Sequence, residues 1–295
     1  MHGAGNDYVY IDALKEVPAN LPLLAKHISD RHFGIGSDGL VAILPSDKAD
    51  FRMRMFNADG SEAEMCGNAS RCIGKFVYDK GLTTKTEVAL ETLAGIKYLH
   101  LEIEDGKVRE VRVDMGSPEL RPAYIPVKSA SSENKISERE TVNGKEYDIT
   151  AVGMGNPHAV VFVPEITDEL VLGEGPYMEV AEIFPNKSNI EFIKVRDRRH
   201  VDMRVWERGS GETLACGTGA CASVVAAALN GLTDREVEVT LPGGKLKINW
   251  DEADGHVYLT GPAEFICDGI YYLPGSFEER GESKERGERS KENQL

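Results

Sequence analysis

The chain is poor in the residues that staple small scaffolds and in the charge that grips nucleic acid. Five cysteines in 295 residues is a sparse and odd number, which argues against a full disulfide framework. Lys and Arg total 34 against 49 Asp and Glu, a formal net charge of −15. A phosphate backbone needs a basic face, so no nucleic-acid partner is expected. No apolar run approaches the roughly 20 residues of a membrane helix, and no secretory apolar stretch stands at the start. The expectation is a cytoplasmic protein with no membrane partner. What remains is ordinary globular material, 41% apolar and 28% charged, in a chain long enough for two domains.

Short strands dominate the pattern. Phe51, Met53 and Met55 alternate with Arg52 and Arg54, the period of a half-buried strand. Further strands are expected at Val88–Glu91, Lys97–Ile103 and Val108–Met115, the last two joined at Asp105-Gly106. The second half continues with Asp148–Val152, Ala159–Val163, Asn189–Val195, Val201–Trp206, Val237–Leu241, Lys245–Trp250 and His256–Thr260. Gly217–Leu229 is apolar or small on nearly every side, which predicts a helix buried all round. Asn68–Tyr78 is its more polar counterpart. Pro22–His32 and Tyr177–Phe184 predict peripheral helices. Lys128–Ser137 reads as an exposed connection, and 276–295 is too polar to order itself. The chain opens directly on Met1-His-Gly-Ala-Gly-Asn6-Asp7, without room for a full preceding strand, so a few native residues are expected upstream.

Two segments look like copies of each other. One runs from Asn57 through Met65-Cys66-Gly67-Asn68 to Cys72; the other runs from Glu207 through Ala215-Cys216-Gly217-Thr218 to Cys221. Each places a Cys-Gly at the mouth of a helix, where the dipole and free N–H groups favour a thiolate. A repeated pair suggests an acid and a base on opposite faces of one substrate. The cysteine spacings are not read as a structural zinc knuckle, and no metal is expected. Cys72, Cys221 and Cys267, beside small apolar residues, read as inert buried thiols.

Taken together, the motifs resemble the diaminopimelate epimerase family. The carriers are His2-Gly-Ala-Gly-Asn6-Asp7-Tyr8, Arg31-His-Phe-Gly-Ile-Gly-Ser-Asp38-Gly39, Phe56-Asn57-Ala-Asp-Gly-Ser and Cys66-Gly-Asn68 with Arg71-Cys72. They continue through Gly155-Asn156-Pro-His158, Ser188-Asn189-Ile-Glu-Phe, Trp206-Glu207-Arg208-Gly and Cys216-Gly-Thr218-Gly. The resemblance covers residues 1 to about 275. Some positions depart from it: Gly39 replaces a glutamine, Ala69-Ser70 a Gly-Ala, and Tyr8 a phenylalanine, while Ala159 follows His158.

The resemblance implies an α/β fold of two pseudo-symmetric domains, each a mostly antiparallel sheet wrapped around a central helix, with the active site in the cleft between them. The expected domains are 1–116 with 262–275, carrying Cys66, and 117–261, carrying Cys216. It also implies cofactor-independent inversion between L,L- and meso-diaminopimelate in lysine and cell-wall precursor synthesis, by a homodimer. Cys66 and Cys216 would take and return the α-proton. One must be thiolate while the other is thiol, so they should titrate as a coupled pair. The N–H groups around Gly67-Asn68 and Gly217-Thr218 would hold the α-carboxylate. Asn6, Asn57, Asn156, Asn189, Glu207 and Arg208 match the family's binding positions, with Glu207 for the distal ammonium and Arg208 for the carboxylate. His158 would stand near the reacting centre.

Taken singly, these residues have plainer explanations. Asn57-Ala-Asp-Gly and Gly-Asn6-Asp are good turns, Glu207-Arg208 a solvated strand end, Gly217–Leu229 a core helix and His158 a structural histidine. The nearest enzyme alternative is a proline or hydroxyproline racemase with the same two-thiol chemistry; a non-catalytic ligand-binding or thiol-redox protein is the other.

Overall fold

The computed structural model describes residues 1–128 and 136–273. Most of the expected 128–137 connection and the whole charged tail lie outside the described residues. Both halves of the chain lay down one series of elements. In the first, β1 (His2–Gly3) pairs antiparallel with β2 (Asn6–Asp12), and α1 (Leu21–Ser29) leads to β3 (Gly39–Leu44), parallel to β2. β4 (Phe51–Asn57) returns antiparallel to β3, and the short β5 (Glu62–Ala63) folds back on it. Then come α2 (Gly67–Asp79), β6 (Glu87–Thr92) parallel to β4, and the antiparallel pair β7 (Gly95–Glu104) and β8 (Lys107–Asp114).

The second half opens with the hairpin β9 (Ile136–Val142) and β10 (Lys145–Gly153), then repeats the scheme. β11 (Pro157–Phe162) is antiparallel to β10; α3 (Gly175–Glu179) leads to β12 (Asn189–Asp197), parallel to β11. β13 (His200–Glu207) returns, β14 (Gly211–Glu212) folds back, and α4 (Gly217–Leu229) follows. β15 (Glu236–Leu241) lies parallel to β13, and β16 (Gly244–Trp250) and β17 (Val257–Gly261) finish antiparallel. The last strand of each series pairs with the other: β17 runs antiparallel to β8, with Leu259 opposite Val113. The fold is therefore mixed α/β, mostly sheet with few helices.

The two long helices start and stop alike. Each begins on an extended cysteine, Cys66 or Cys216. Each ends before a left-handed glycine, Gly81 at φ +73° and Gly231 at φ +71°. In both cases the next N–H, of Leu82 or Leu232, reaches back to a carbonyl in the last turn, as in a Schellman closure. α4 buries nearly every residue from Gly217 to Ala227, as its all-round apolarity requires; β10, β11, β12, β15, β16 and β17 all pack against it. α2 is wrapped by β1, β7 and β8, and buries Ala69, Cys72, Ile73 and Val77, along with the charged Arg71 and Lys75. Lys75 is paired with Asp79 at 3.0 Å. Leu259 and Met115 pack on the backbone of Gly67, and Leu259 also on that of Gly217.

Some elements differ from expectation. β2 and β3 carry no strand alternation: Gly39–Leu44 is buried on both faces, and Asn6-Asp7 looks like a turn. β9 begins inside the expected connection. α1 stops at Ser29, where the Asp30 side chain accepts from the N–H groups of His32 and Phe33 and turns the chain. The helix expected at Tyr177–Phe184 lies earlier, as a π-helical stretch, Glu169–Glu174, running into α3. There Gly175 allows close approach to Trp206. Cys267 is exposed rather than buried; it follows the last strand, where Ile266 and Ile270 are exposed too.

Gly39 has no room for a side chain: its Cβ would lie 2.0 Å from the Phe56 carbonyl oxygen and 2.6 Å from the Tyr8 ring. Because backbone is one of the obstacles, Gly39→Ala is expected to destabilise the protein by about 3 kcal/mol, read as a lowered urea midpoint.

Candidate active site

The repeat brings the mouths of α2 and α4 together. A side chain at Gly217 would start 3.9 Å from the Gly67 Cα and 3.9 Å from Asn68 Oδ1, and Asn68 Nδ2 donates to the Ala215 carbonyl at 3.4 Å. The residue before one cysteine is thus tied to the residue two beyond the other. The first intrahelical bonds are Ser70 N–H to Cys66 O and Ala220 N–H to Cys216 O. Neither cysteine side chain makes a capping bond, so the N–H groups of both first turns remain open to an anion.

The sulfurs sit in different fields. Cys66 is half-buried; burial pushes its thiol up, opposed by the N–H groups of Ala69 and Asn68 and by Arg71, with Glu207 adding to the rise. Cys216 is buried, and its thiol is pushed far higher, first by burial and then by Glu207 and Glu191. Thr218, whose hydroxyl is 3.5 Å from Cys216 Sγ, and the Gly219 N–H work the other way. The backbone donors facing the sulfurs are the N–H groups of Asn68 and Ala69 for Cys66 and of Gly219 for Cys216.

Around them stand most of the expected residues. Asn6 Oδ1 lies 3.6 Å from Cys66 Sγ. Glu207, at the end of β13, has its carboxyl raised by burial and bonded to the Thr213 hydroxyl, and it faces Cys216. His158 on β11 is fully buried, its Nδ1 2.7 Å from Glu191 Oε1 and its Nε2 2.9 Å from Asn156 Oδ1. Three residues are engaged with other partners. Asn189 donates to the Pro157 carbonyl and accepts from the Arg208 N–H, while the exposed Arg208 guanidinium rests on the Asn186 carbonyl at 3.3 Å. Asn57 donates to Ser61 and accepts from the Tyr8 hydroxyl at 3.5 Å.

Three groups at the site stand in the motifs without a role assigned from sequence. Glu191 is completely buried on β12; its signal is a lone carboxylate inside the apolar run Ile190-Glu-Phe-Ile. At Gly219 a Cβ would meet Glu191 Oε1 at 2.7 Å and Cys216 Sγ at 3.2 Å, so only glycine lets carboxylate and sulfur share that space. Tyr8 puts a phenol between Asn57 and Cys66, its ionisation strongly disfavoured by burial. Arg71, fully buried on α2, is the third.

Behind the site, burial pushes Cys72 up to about 11 and Cys221 up to about 12. An unfolded thiol ionises near 8.5, so these two favour the folded state fully below that value, and lose the contribution as pH rises towards 11–12. The melting temperature is expected to fall more steeply between pH 8 and pH 10.5 in the wild type than in a Cys72→Ala/Cys221→Ala variant, by calorimetry.

The diaminopimelate epimerase family model matches residues 1–121 and 150–266. A diaminopimelate epimerase of Acetivibrio thermocellus is 55% identical over 269 residues, 91% of this chain and 96% of the relative. One from Methanococcus maripaludis is 56% identical over 270 residues, covering 91% and 97%. Among solved structures, a Bacillus anthracis phenazine biosynthesis protein of the PhzF family superposes with a TM-score of 0.66 at 18% identity, over 93% of this chain and 95% of its own. A probable proline racemase from Agrobacterium radiobacter gives 0.62 at 14%, over 90% and 92%; these two likenesses speak to fold alone. By sequence, from end to end of the repeat, the chain belongs to the diaminopimelate epimerase family.

Proposed function

We propose that the protein interconverts L,L- and meso-diaminopimelate in lysine biosynthesis, by proton transfer between Cys66 and Cys216 across one α-carbon, with no cofactor. The observation that carries the mechanism is the junction of two cysteine-capped helix mouths. In this reading the thiolate of one cysteine removes the α-hydrogen, and the C–H electron pair is left as a carbanion conjugated with the carboxylate. The thiol of the other delivers its proton to the opposite face. Each turnover leaves the two sulfurs with exchanged protonation states.

The open N–H groups of both first turns suit the α-carboxylate, where charge grows as the α-hydrogen departs. A fixed donor aimed at such charge contributes about 3–4 kcal/mol in comparable acyl-transfer sites. Raised thiols fit a protein awaiting its substrate, since a bound ammonium close to the sulfur would favour the thiolate. Glu207 and Arg208 serve the distal ammonium and carboxylate, with Asn6, Asn57, Asn156 and Asn189 orienting or supporting that end. The two series of elements act as two domains with the boundaries expected above, closing on the substrate from either side. A cytoplasmic homodimer belongs to the same reading.

Incubated with L,L-diaminopimelate in deuterium oxide, the enzyme is expected to yield the meso isomer carrying α-deuterium, without added cofactor, and to leave L-proline untouched. Cys66→Ala and Cys216→Ala are each expected to lose inversion at least about 10³-fold with the fold retained. Near-wild-type turnover in either variant would remove the two-thiol mechanism, and α-deuteration of proline the substrate assignment.

A further inference from the structure

Asp38 and Arg71 have no part in the reaction as described, yet each fixes one of the asparagines beside Cys66. Asp38, half-buried ahead of β3, accepts from Asn6 Nδ2 at 2.9 Å and from the Asp7 N–H at 3.2 Å, with Arg31 at 3.5 Å on its outer oxygen. An ionised carboxylate only accepts. The amide nitrogen of Asn6 must therefore face Asp38, and its oxygen must face the other way, towards Cys66 Sγ at 3.6 Å and Asn68 Nδ2 at 3.5 Å.

The far end is pinned by the opposite chemistry. Arg71 is fully buried and donates from Nη2 to Asn68 Oδ1 at 2.9 Å and from Nε to the Pro262 carbonyl at 3.2 Å. A guanidinium only donates, so Asn68 must turn its oxygen to Arg71 and its nitrogen to Asn6 and Ala215. Arg71 has no carboxylate within salt-bridge distance among the described residues; its ionisable neighbours are Cys66, Cys72, Cys221 and Tyr10. A buried cation in that position is costly unless something offsets it, and a chain of aligned amide dipoles ending on a carboxylate does so in part.

We propose that Asp38 and Arg71 are positioning residues, the two ends of an oriented carboxamide relay, Asp38–Asn6–Asn68–Arg71, that fixes an acceptor oxygen against Cys66 and so keeps that thiol protonated in the ligand-free protein. With its orientation set from both ends, Asn6 offers the sulfur an oxygen that a thiol can donate to and a thiolate is repelled by. The groups facing Cys66 are Arg71 and Cys72 on α2, Tyr8 and Tyr10 on β2, and Glu207 on β13. Those facing Asp38 are Asp7, Arg31 and Tyr8. Burial pushes the Cys66 thiol up in the same direction. The inference rests on the two-thiol reading only for its bearing on turnover; the reactivity of Cys66 reports on the relay whatever the substrate.

The test is the rate of Cys66 alkylation by iodoacetamide against pH in the ligand-free full chain, followed by mass spectrometry of the Cys66 peptide. Asp38→Ala removes the acceptor and frees Asn6. The midpoint of the rate–pH curve is expected to move to lower pH, raising the rate at pH 8 about threefold or more, with the alkaline plateau unchanged. Asp38→Asn loses the charge but keeps a carbonyl for Asn6, and is expected to retain the wild-type curve. Equal shifts in both variants would mean a simple field effect, and an unmoved midpoint or a raised plateau in Asp38→Ala would mean no relay; each outcome overturns the proposal. Asp38→Ser, whose shorter hydroxyl falls short of Asn6, is read in the same way should the alanine variant fail to melt cooperatively.

Discussion

Two helix mouths facing each other is the constraint on which this structure depends. Each carries a positive partial charge from its macrodipole and its unsatisfied N–H groups, and burial strengthens the repulsion between them. Sheet architecture holds them in place: the β8–β17 ladder closes the two series against each other, and Leu259 of β17 packs on the backbone of both Gly67 and Gly217. An anion between the mouths relieves the repulsion. In the proposed mechanism a substrate carboxylate bound there would leave its α-carbon within reach of the two thiols. Glycine after Cys216 belongs to the same requirement, because a side chain at Gly217 would press on Leu259 from 3.1 Å.

The two thiols are not equivalent despite the repeat. Cys66 looks towards a buried guanidinium, whereas Cys216 looks towards Glu207 and Glu191. Arg71 has its counterpart on α4 in Cys221, and Asn57 at the end of β4 has its counterpart in Glu207 at the end of β13. The substrate is asymmetric about its α-carbon, and a chiral reaction has no need of matched partners. The differences between the halves fall where that asymmetry would be met.

Much of this was legible from residues alone. The Cys-Gly duplication, the all-round apolarity of Gly217–Leu229 and the alternation in Phe51–Met55 each correspond to one local element, and each was found. Gly39–Leu44 was missed because burial on both faces erases alternation, and Asn6–Asp12 because its first residues are those of a turn. Cys267 misled because apolar neighbours predict burial only where other elements come to cover them. Glu191 and Arg71 needed three-dimensional information: their meaning lies in what stands opposite them, and no spacing in the chain encodes that. The use of Asn189 to bind the Pro157 carbonyl and the Arg208 N–H is likewise invisible before strands are paired.

The antiparallel pairing of β8 with β17 is also what a two-fold axis demands, since each is the closing strand of its own series. A polypeptide of half this length, ending on that strand, would present the same edge to a second copy and form an isologous dimer. Its single catalytic pocket would lie on the symmetry axis, lined by one cysteine from each subunit. Fusion of two such genes would have freed the halves to diverge, leaving two glutamates beside one sulfur and an arginine beside the other.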